Sequence, residues 1–414
     1  MATGNRIAAT DEGSRISAGQ VSLFAVAVGI VVLPLFATQP LVGVIGPELG
    51  LSPGLSAFTA TLTLLGYAAG LFLLVPLTDV LENRRLILTI LAGDIVALVA
   101  LALAPTAVMF LIASFVVGLL TSAIQMLIPI TAARSAEASR GRTVGHVMSG
   151  LMLGILFSRP LASLVTEIWG WRFLYGLLAA AVALLTAILV PLIPRLHPRN
   201  QVRYGELIGS LGALLREEPV LRRRAASQAL CMGAFGVFWT SVALRLGQPP
   251  LSLGQVGIAV FAFAGAAGAV IAPIAGRAGD RGQSHPATAL AHVAVIAAMI
   301  LAYLGGVLLD GSGPFALATL SVSAVVLDLG VIADQALGRR AINLLRPDAR
   351  GRINGLFTGL FFLGGAAGSA LSGFAWTTWG WSGVCMLGLA FGVAALSLLL
   401  TERRPWTTEA PTGP

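Results

Sequence analysis

Three ionisable side chains stand inside long apolar runs of this chain: Asp94, Arg159 and Asp328. An ionisable group in hydrocarbon costs several kcal/mol unless it is paired or hydrated, about 2.5–3.5 kcal/mol on insertion scales, so each needs a reason. Arg159 keeps its proton, so it can bind an anionic or polar group or neutralise a carboxylate. Asp328 can exchange a proton, and with Arg159 supplies the minimum equipment for proton-linked chemistry. The alternative is a fixed interhelical ion pair that only sets packing. Asp334 follows Asp328 toward the end of the same run and reads as part of a gate. Uncharged polar groups add to the set: Gln39 beside Pro40, Gln125 before Pro129, and Trp239-Thr240-Ser241. A glutamine in hydrocarbon needs a partner, and a proline-broken helix leaves carbonyls that substrate or water must satisfy. The competing reading is a glutamine bonded to a neighbouring helix. Trp239 can stack on a planar substrate or serve as packing.

Such groups need apolar helices to hold them. The 414 residues are 57% hydrophobic and 11% charged, with a mean hydropathy of +0.89. A bilayer solvent explains this, because helices are then apolar outside as well as inside. Twelve apolar segments are expected, near residues 20–46, 56–78, 86–104, 107–130, 144–168, 172–193, 225–247, 255–276, 288–308, 314–335, 353–376 and 381–400. The chain also repeats itself. Arg140-Gly141-Arg142-x-x-Gly145 leads through an apolar stretch to Trp169-Gly170-Trp171, and Arg350-Gly351-Arg352-x-x-Gly355 leads to Trp379-Gly380-Trp381. Gly154 falls on Gly364 at the same offset. This is a duplicated multi-span membrane protein, with Arg at one face and Trp at the other. The organisation expected is an all-α membrane protein of twelve transmembrane helices: residues 1–194 as one six-helix bundle, 195–224 as a polar loop, and 225–414 as a second bundle. An even number of spans per half gives a parallel repeat. The segment from Tyr204 to Leu215 is expected to be a short surface helix.

The net charge of +8 does not point to nucleic acid. All the basic residues are Arg, and all but Arg159, Arg172 and Arg245 fall in the tails and even-numbered turns if the N-terminus is cytoplasmic. By the positive-inside rule both termini are therefore cytoplasmic. No cleavable signal is visible around Asp11, Glu12 and Arg15, so the first span is expected to remain as an anchor. Without Lys there is no phosphate-binding Gly-x-x-x-x-Gly-Lys loop, and no metalloprotease motif or nucleophile elbow occurs, so no enzyme is expected. Cys231 and Cys385 are isolated and read as small core residues. His146 and His292 lie in or near spans and can carry protons, whereas His197 and His285 read as solvated. No metal-ligand spacing is present, so no metal is expected.

Two six-span halves, a basic central loop, and acidic-then-basic turns after the second span of each half resemble the major facilitator superfamily. The turns are Asp79-x-x-x-x-Arg84-Arg85 and Gly276-x-x-x-Asp280-Arg281-Gly282, the first with Val75 and Glu82 where glycines are usual. The chain is similar to the bacterial inner-membrane branch of drug:proton antiporters. The resemblance is carried by Gln39-Pro40-Leu41, Gly66-Tyr67-Ala68-x-Gly70, Gly154-Ile155-Leu156-x-x-Arg159, Leu327-Asp328-Leu329-Gly330-Val331 and Phe362-Leu363-Gly364-Gly365-Ala366-x-Gly368-Ser369. Two positions depart from that branch: Ser114 stands where an arginine often precedes Gly118, and Arg159-Pro160 stands in place of a Gly-Pro step.

The resemblance implies a secondary transporter that exports small amphipathic molecules by alternating access, driven by the proton gradient and using no cofactor. Uptake or facilitated diffusion uses the same fold, and a non-transporting scaffold or sensor is the remaining class. The partners implied are the lipid bilayer and a small-molecule substrate, with no nucleic acid, for a monomer in the inner cell membrane. Spans one, four, seven and ten would line the cavity, presenting Gln39, Gln125, Trp239 and Asp328, while Asp94 in the third span would be peripheral. Glycines on spans two, five, eight and eleven (Gly66/Gly70, Gly150/Gly154, Gly265/Gly268, Gly355/Gly359) would smooth the contact between halves. Asp79 would meet the start of span eleven near Arg352 to Gly355, with Arg84, Arg85 and Arg281 holding the carboxylates of Asp79 and Asp280, and Asp334 adding to the gate.

Overall fold

A computed structural model describes residues 16–195, 203–309, 313–346 and 349–401. Among these, nine helical segments are long and apolar enough to cross a membrane. Span one is Ala18–Glu48, span two Pro53–Asp79, span three Asn83–Ala102 and span four Ala107–Ala133. Arg140–Leu189 and Arg350–Leu400 each contain two crossings, because Gly170 (φ +82°) and Gly380 (φ +60°) turn the chain back. Only glycine adopts such a φ without strain, so the repeated Trp-Gly-Trp is the corner between spans five and six, and between eleven and twelve. The two flanking tryptophans divide the work alike in both copies. Trp169 and Trp379 are exposed, whereas Trp171 and Trp381 are buried. Their indole N–H groups donate to Glu48 Oε2 (2.6 Å) and to the Ala302 carbonyl (2.9 Å) respectively.

Span seven is Pro219–Gly247, span nine Ser284–Leu308 and span ten Gly313–Asn343. Span eight is irregular: helix at Gln255–Ala262, a tighter 3-10 stretch at Phe263–Val270, then helix again at Ile271–Asp280. With the two glycine corners and span eight, the described residues make twelve crossings in two bundles of six. The expected segments are all present. The main difference is that span seven begins at Pro219, so Arg222 to Arg224 lie within the helix and not in the loop before it. Pro at the first helical position lacks the N–H that no carbonyl would bind there, which fixes the start.

Within each half, small residues let backbones meet. A Cβ on Gly150 would stand 2.1 Å from the Ala25 carbonyl, and one on Gly154 2.2 Å from that of Gly29. In the second half a Cβ on Gly364 or Gly368 would stand 2.0 Å from the Ala229 or Gly233 carbonyl. The duplication therefore encodes one packing unit twice, span five on span one and span eleven on span seven. This corrects the expectation that the glycines of spans two, five and eight smooth the boundary between halves. Gly66 and Gly70 face span four, and Gly265 faces Asp328 and Trp239 of its own half. Of those residues only Gly359 meets the other bundle, at the ring of Phe72. The boundary is held by polar and aromatic contacts as well as by the close approach of Gly373 to the Gly54 carbonyl. Thr61 donates to Ser369 at 3.0 Å and Phe157 meets Phe263 edge-on at 6.0 Å, while within the second half Thr240 donates to the same Ser369 hydroxyl at 2.9 Å.

The amphipathic stretch between the halves is a helix, Tyr204–Glu217. Leu207, Leu211 and Leu214 are buried, the last two against Leu221, Ile353 and Phe357. Its polar side bonds to the Arg-rich ends, through Ser210 to Arg352 (2.9 Å) and Glu217 to Arg346 (3.1 Å).

Candidate functional site

Span one loses its regular ladder where Pro40 withdraws an N–H, and a 3-10 turn at Gln39–Leu41 presents the Gln39 side chain inward. Its Oε1 accepts from Arg159 Nε at 2.8 Å. Arg159 reaches from span five just before Pro160, and its guanidinium carbon lies 4.2 Å from the Trp239 ring centre, 5.0 Å from Phe235 and 5.1 Å from Phe36. Three ring faces around one cation are worth more here than in water, because the site is desolvated. Trp239 then donates Nε1–H to Asp328 Oδ1 at 2.9 Å. All four polar residues are at most 4% exposed.

The order is thus Gln39, Arg159, Trp239, Asp328, drawn from spans one, five, seven and ten. The alternative of a direct Arg159–Asp328 ion pair does not form here: the indole stands between the two side chains, whose charges interact across it. Trp239 is neither interfacial nor plain filler, since an indole offers a π face to a cation and one N–H to a carboxylate. Span eight supplies room for the carboxylate, because Gly265 and Gly268 carry no Cβ to meet it. The Arg159 Nη2 and Gln39 Nε2 groups are buried without hydrogen-bond partners. Arg159 borders a cavity of about 10 Å³, lined also by Pro40, Trp239, Val242, Ile258 and Phe261. That is room for about one water, so the site is closed around its own side chains.

Other expected residues lie elsewhere. Gln125 donates to the Tyr67 hydroxyl at 3.0 Å, the neighbouring-helix bond of the plainer reading. Asp94 is fully buried in span three, and neither oxygen has a hydrogen-bond partner. Asp334 belongs to a second buried cluster: its Oδ1 lies 3.2 Å from His292 Nε2 and accepts from Ser227 at 3.3 Å. The separation of His292 and Asp334 by 42 residues hid that pairing from the sequence.

At the Arg-rich ends, the Asp79 carboxylate interacts electrostatically with Arg352. The supporting arginines are corrected. Asp280 is bonded by Arg340 of span ten at 3.0 Å, and Arg85 pairs with Glu82 at 3.4 Å. Arg281 lies in the turn after the helix Ile271–Asp280, and no ion pair of its side chain with Asp280 occurs among the described residues. Arg84 lines a shallow depression with Arg85, Glu82 and Arg195. Phe36 and Phe235 were missed at the central site. Phe235 precedes Trp239 by one helical turn, a spacing that puts both on one face.

The sequence profile of the Major Facilitator Superfamily matches residues 24–333. The chain belongs to the major facilitator superfamily. It is 32% identical over 396 residues to the uncharacterized transporter YgaY of Escherichia coli, covering 95% of this chain and 98% of that one. It is 30% identical over 390 residues to the probable transporter SCO4007 of Streptomyces coelicolor, covering 92% and 87%. Among solved structures, a D-xylose-proton symporter superposes with TM-score 0.73 at 14% identity, covering 93% of this chain and 98% of that one. A bacterial homolog of the human lysosomal transporter Spinster gives 0.64 at 15% identity, covering 93% and 96%. The chain is accordingly a multi-pass membrane transporter of the major facilitator type and not an enzyme, and this family generally needs no cofactor.

Proposed function

We propose that this transporter exports small amphipathic molecules against proton influx, with Asp328 taking up the proton and Arg159 tuning it. The observation that carries the reading is Trp239, which bonds Asp328 and stacks under Arg159. A proton on Asp328 removes its negative charge and weakens its hold on the indole, and with it the seat of Arg159. A ligand that binds one arrangement better shifts the population toward it, and here the proton is that ligand. A planar amphipathic substrate stacks on Trp239 beside Arg159, and its polar atoms meet the free Arg159 Nη2 and Gln39 Nε2. In this reading the two six-span bundles rock about the connection that holds the Tyr204–Glu217 helix, in a monomer of the inner membrane with both termini cytoplasmic. The arginine distribution supports that orientation. Asp79 and Asp280, with their arginines, hold the Arg-rich ends, and Asp334 adds to that gate.

The test is proteoliposomes with an imposed pH gradient, a panel of amphipathic fluorescent dyes and a lumenal pH probe. Wild type moves dye uphill with proton counterflow, and Asp328→Asn moves it only downhill. An Asp328→Asn carrier that still concentrates dye at the wild-type rate overturns the coupling role. Ser114, standing where an arginine is usual, favours facilitated diffusion as the second reading, in which wild type itself fails to respond to the gradient.

A further inference from the structure

Cys231, His292 and Asp334 come from spans seven, nine and ten, and one ligand atom of each lies within 4.8 Å of the others. All three are buried. The imidazole Nε2 to carboxylate Oδ1 separation is 3.2 Å, already close to the spacing of two ligands on one tetrahedral ion, about 3.5 Å for bonds near 2.1 Å. Ser227, one turn before Cys231, completes the group, with its hydroxyl 2.9 Å from His292 Nε2. Two polar atoms of the group, Asp334 Oδ2 and His292 Nδ1, have no hydrogen-bond partner. Burying unused polar atoms is costly, which asks for an occupant.

From this geometry we infer a binding site for a thiophilic divalent cation of the zinc type, held by Cys231 Sγ, the His292 imidazole and Asp334. The donor set selects the class. Sulfur and imidazole nitrogen suit zinc and its neighbours, whereas magnesium and calcium require six or more oxygens. Charge selects it again. A dication with one thiolate, one carboxylate and a neutral imidazole sums to zero, the only kind of ionic group that a membrane interior holds cheaply. Binding releases the Cys231 thiol proton, so metal affinity falls in acid. Ser227 Oγ, or a water it holds, fills the fourth position. The ion would tie three spans of one half together, a turn and a half along span ten from Asp328. This inference is separate from the Arg159–Trp239–Asp328 coupling proposed above and shares only Asp334 with the proposed gate.

The full chain, purified in detergent without a histidine tag, would be dialysed against zinc or cobalt(II) chloride and its metal content measured. The expected result is one equivalent of tightly held zinc and, for cobalt, a thiolate-to-metal charge-transfer band. Both should disappear in Cys231→Ala and in His292→Gln and persist in Cys385→Ala, each variant remaining monodisperse. Cys231→Ala is the conservative variant, retaining a small apolar side chain, should His292→Gln fail to fold. A monodisperse wild type that holds no metal after dialysis overturns the site, as does a folded Cys231→Ala protein that keeps the equivalent and the band.

Discussion

Arg159 carries its guanidinium carbon 4.2 Å from the centre of the Trp239 ring, and the same indole donates to Asp328. One aromatic side chain therefore reads a cation on its face and a carboxylate at its edge. The two roles separate by mutation. Trp239→Phe keeps the face and deletes the N–H, leaving Asp328 Oδ1 without its donor, a loss of about 1–3 kcal/mol. Trp239→Ala removes both. We expect Trp239→Phe to retain dye binding but to lose most proton-driven transport, and Trp239→Ala to lose both, in a paired binding and vesicle assay. Equal loss of binding in the two variants would mean that the Asp328 bond, not the ring face, seats the substrate.

The duplicated glycine seams give a stability prediction. Gly154→Ala and Gly364→Ala each press a methyl group against a backbone carbonyl, at 2.2 and 2.0 Å before relaxation. Backbone cannot swing aside as a side chain can, so each should cost about 1–3 kcal/mol. Gly176→Ala has open space around it and should be neutral or slightly stabilising. Thermal unfolding in detergent checks this. Matching losses in the two seam variants would confirm that both halves use the same packing unit.

The sequence makes the fold legible because bilayer solvent writes span length and the Arg bias directly into composition, and because the Trp-Gly-Trp corner occurs twice. Arg159 and Asp328 are legible for a related reason: charge in hydrocarbon is rare enough to stand out. Trp239 is harder to read. A tryptophan in a span is common, and its bonds depend on the rotation of three helices relative to one another, which no local pattern encodes. The same limit hid the grouping of Cys231, His292 and Asp334, and misassigned the glycines. Small residues at helical spacing announce a close contact but not the partner. Arg340, 60 residues from Asp280, is a long-range partner of the same kind.

The two turn carboxylates should behave differently although their motifs match. Asp79 is exposed, as Asp280 is, but it interacts with Arg352 at the start of span eleven, in the other bundle. Asp280 is 74% exposed at its side chain and pairs with Arg340 within its own half. The Asp79 carboxylate ties one bundle to a helix start of the other, worth about 0.3–1 kcal/mol at an exposed site, whereas the Asp280 pair acts within one half and contributes about 0–1 kcal/mol. Asp79→Asn should therefore speed thiol labelling of a cysteine introduced at Gly355 and lower transport severalfold at unchanged protein level. Asp280→Asn should leave labelling within about twofold. Unchanged labelling in Asp79→Asn would remove this carboxylate from the gate.

Asp94 makes the sharpest contrast with Asp328, since both are buried carboxyl groups inside spans but only one is bonded. Asp328 has an indole donor and an arginine nearby, whereas neither Asp94 oxygen has a hydrogen-bond partner. A buried polar group without partners costs about 1–3 kcal/mol, and an apolar group of similar shape recovers much of that. Asp94→Leu should therefore raise the thermal unfolding midpoint in detergent and leave proton-driven dye transport intact, because Asp94 stands apart from the Arg159–Trp239–Asp328 chain. The two measurements must be made on one preparation. A stabilised protein with full transport assigns Asp94 to span three alone. A folded, monodisperse Asp94→Leu protein that no longer transports would mean that this carboxylate is used in the cycle, and that the cost of burying it is maintained for function.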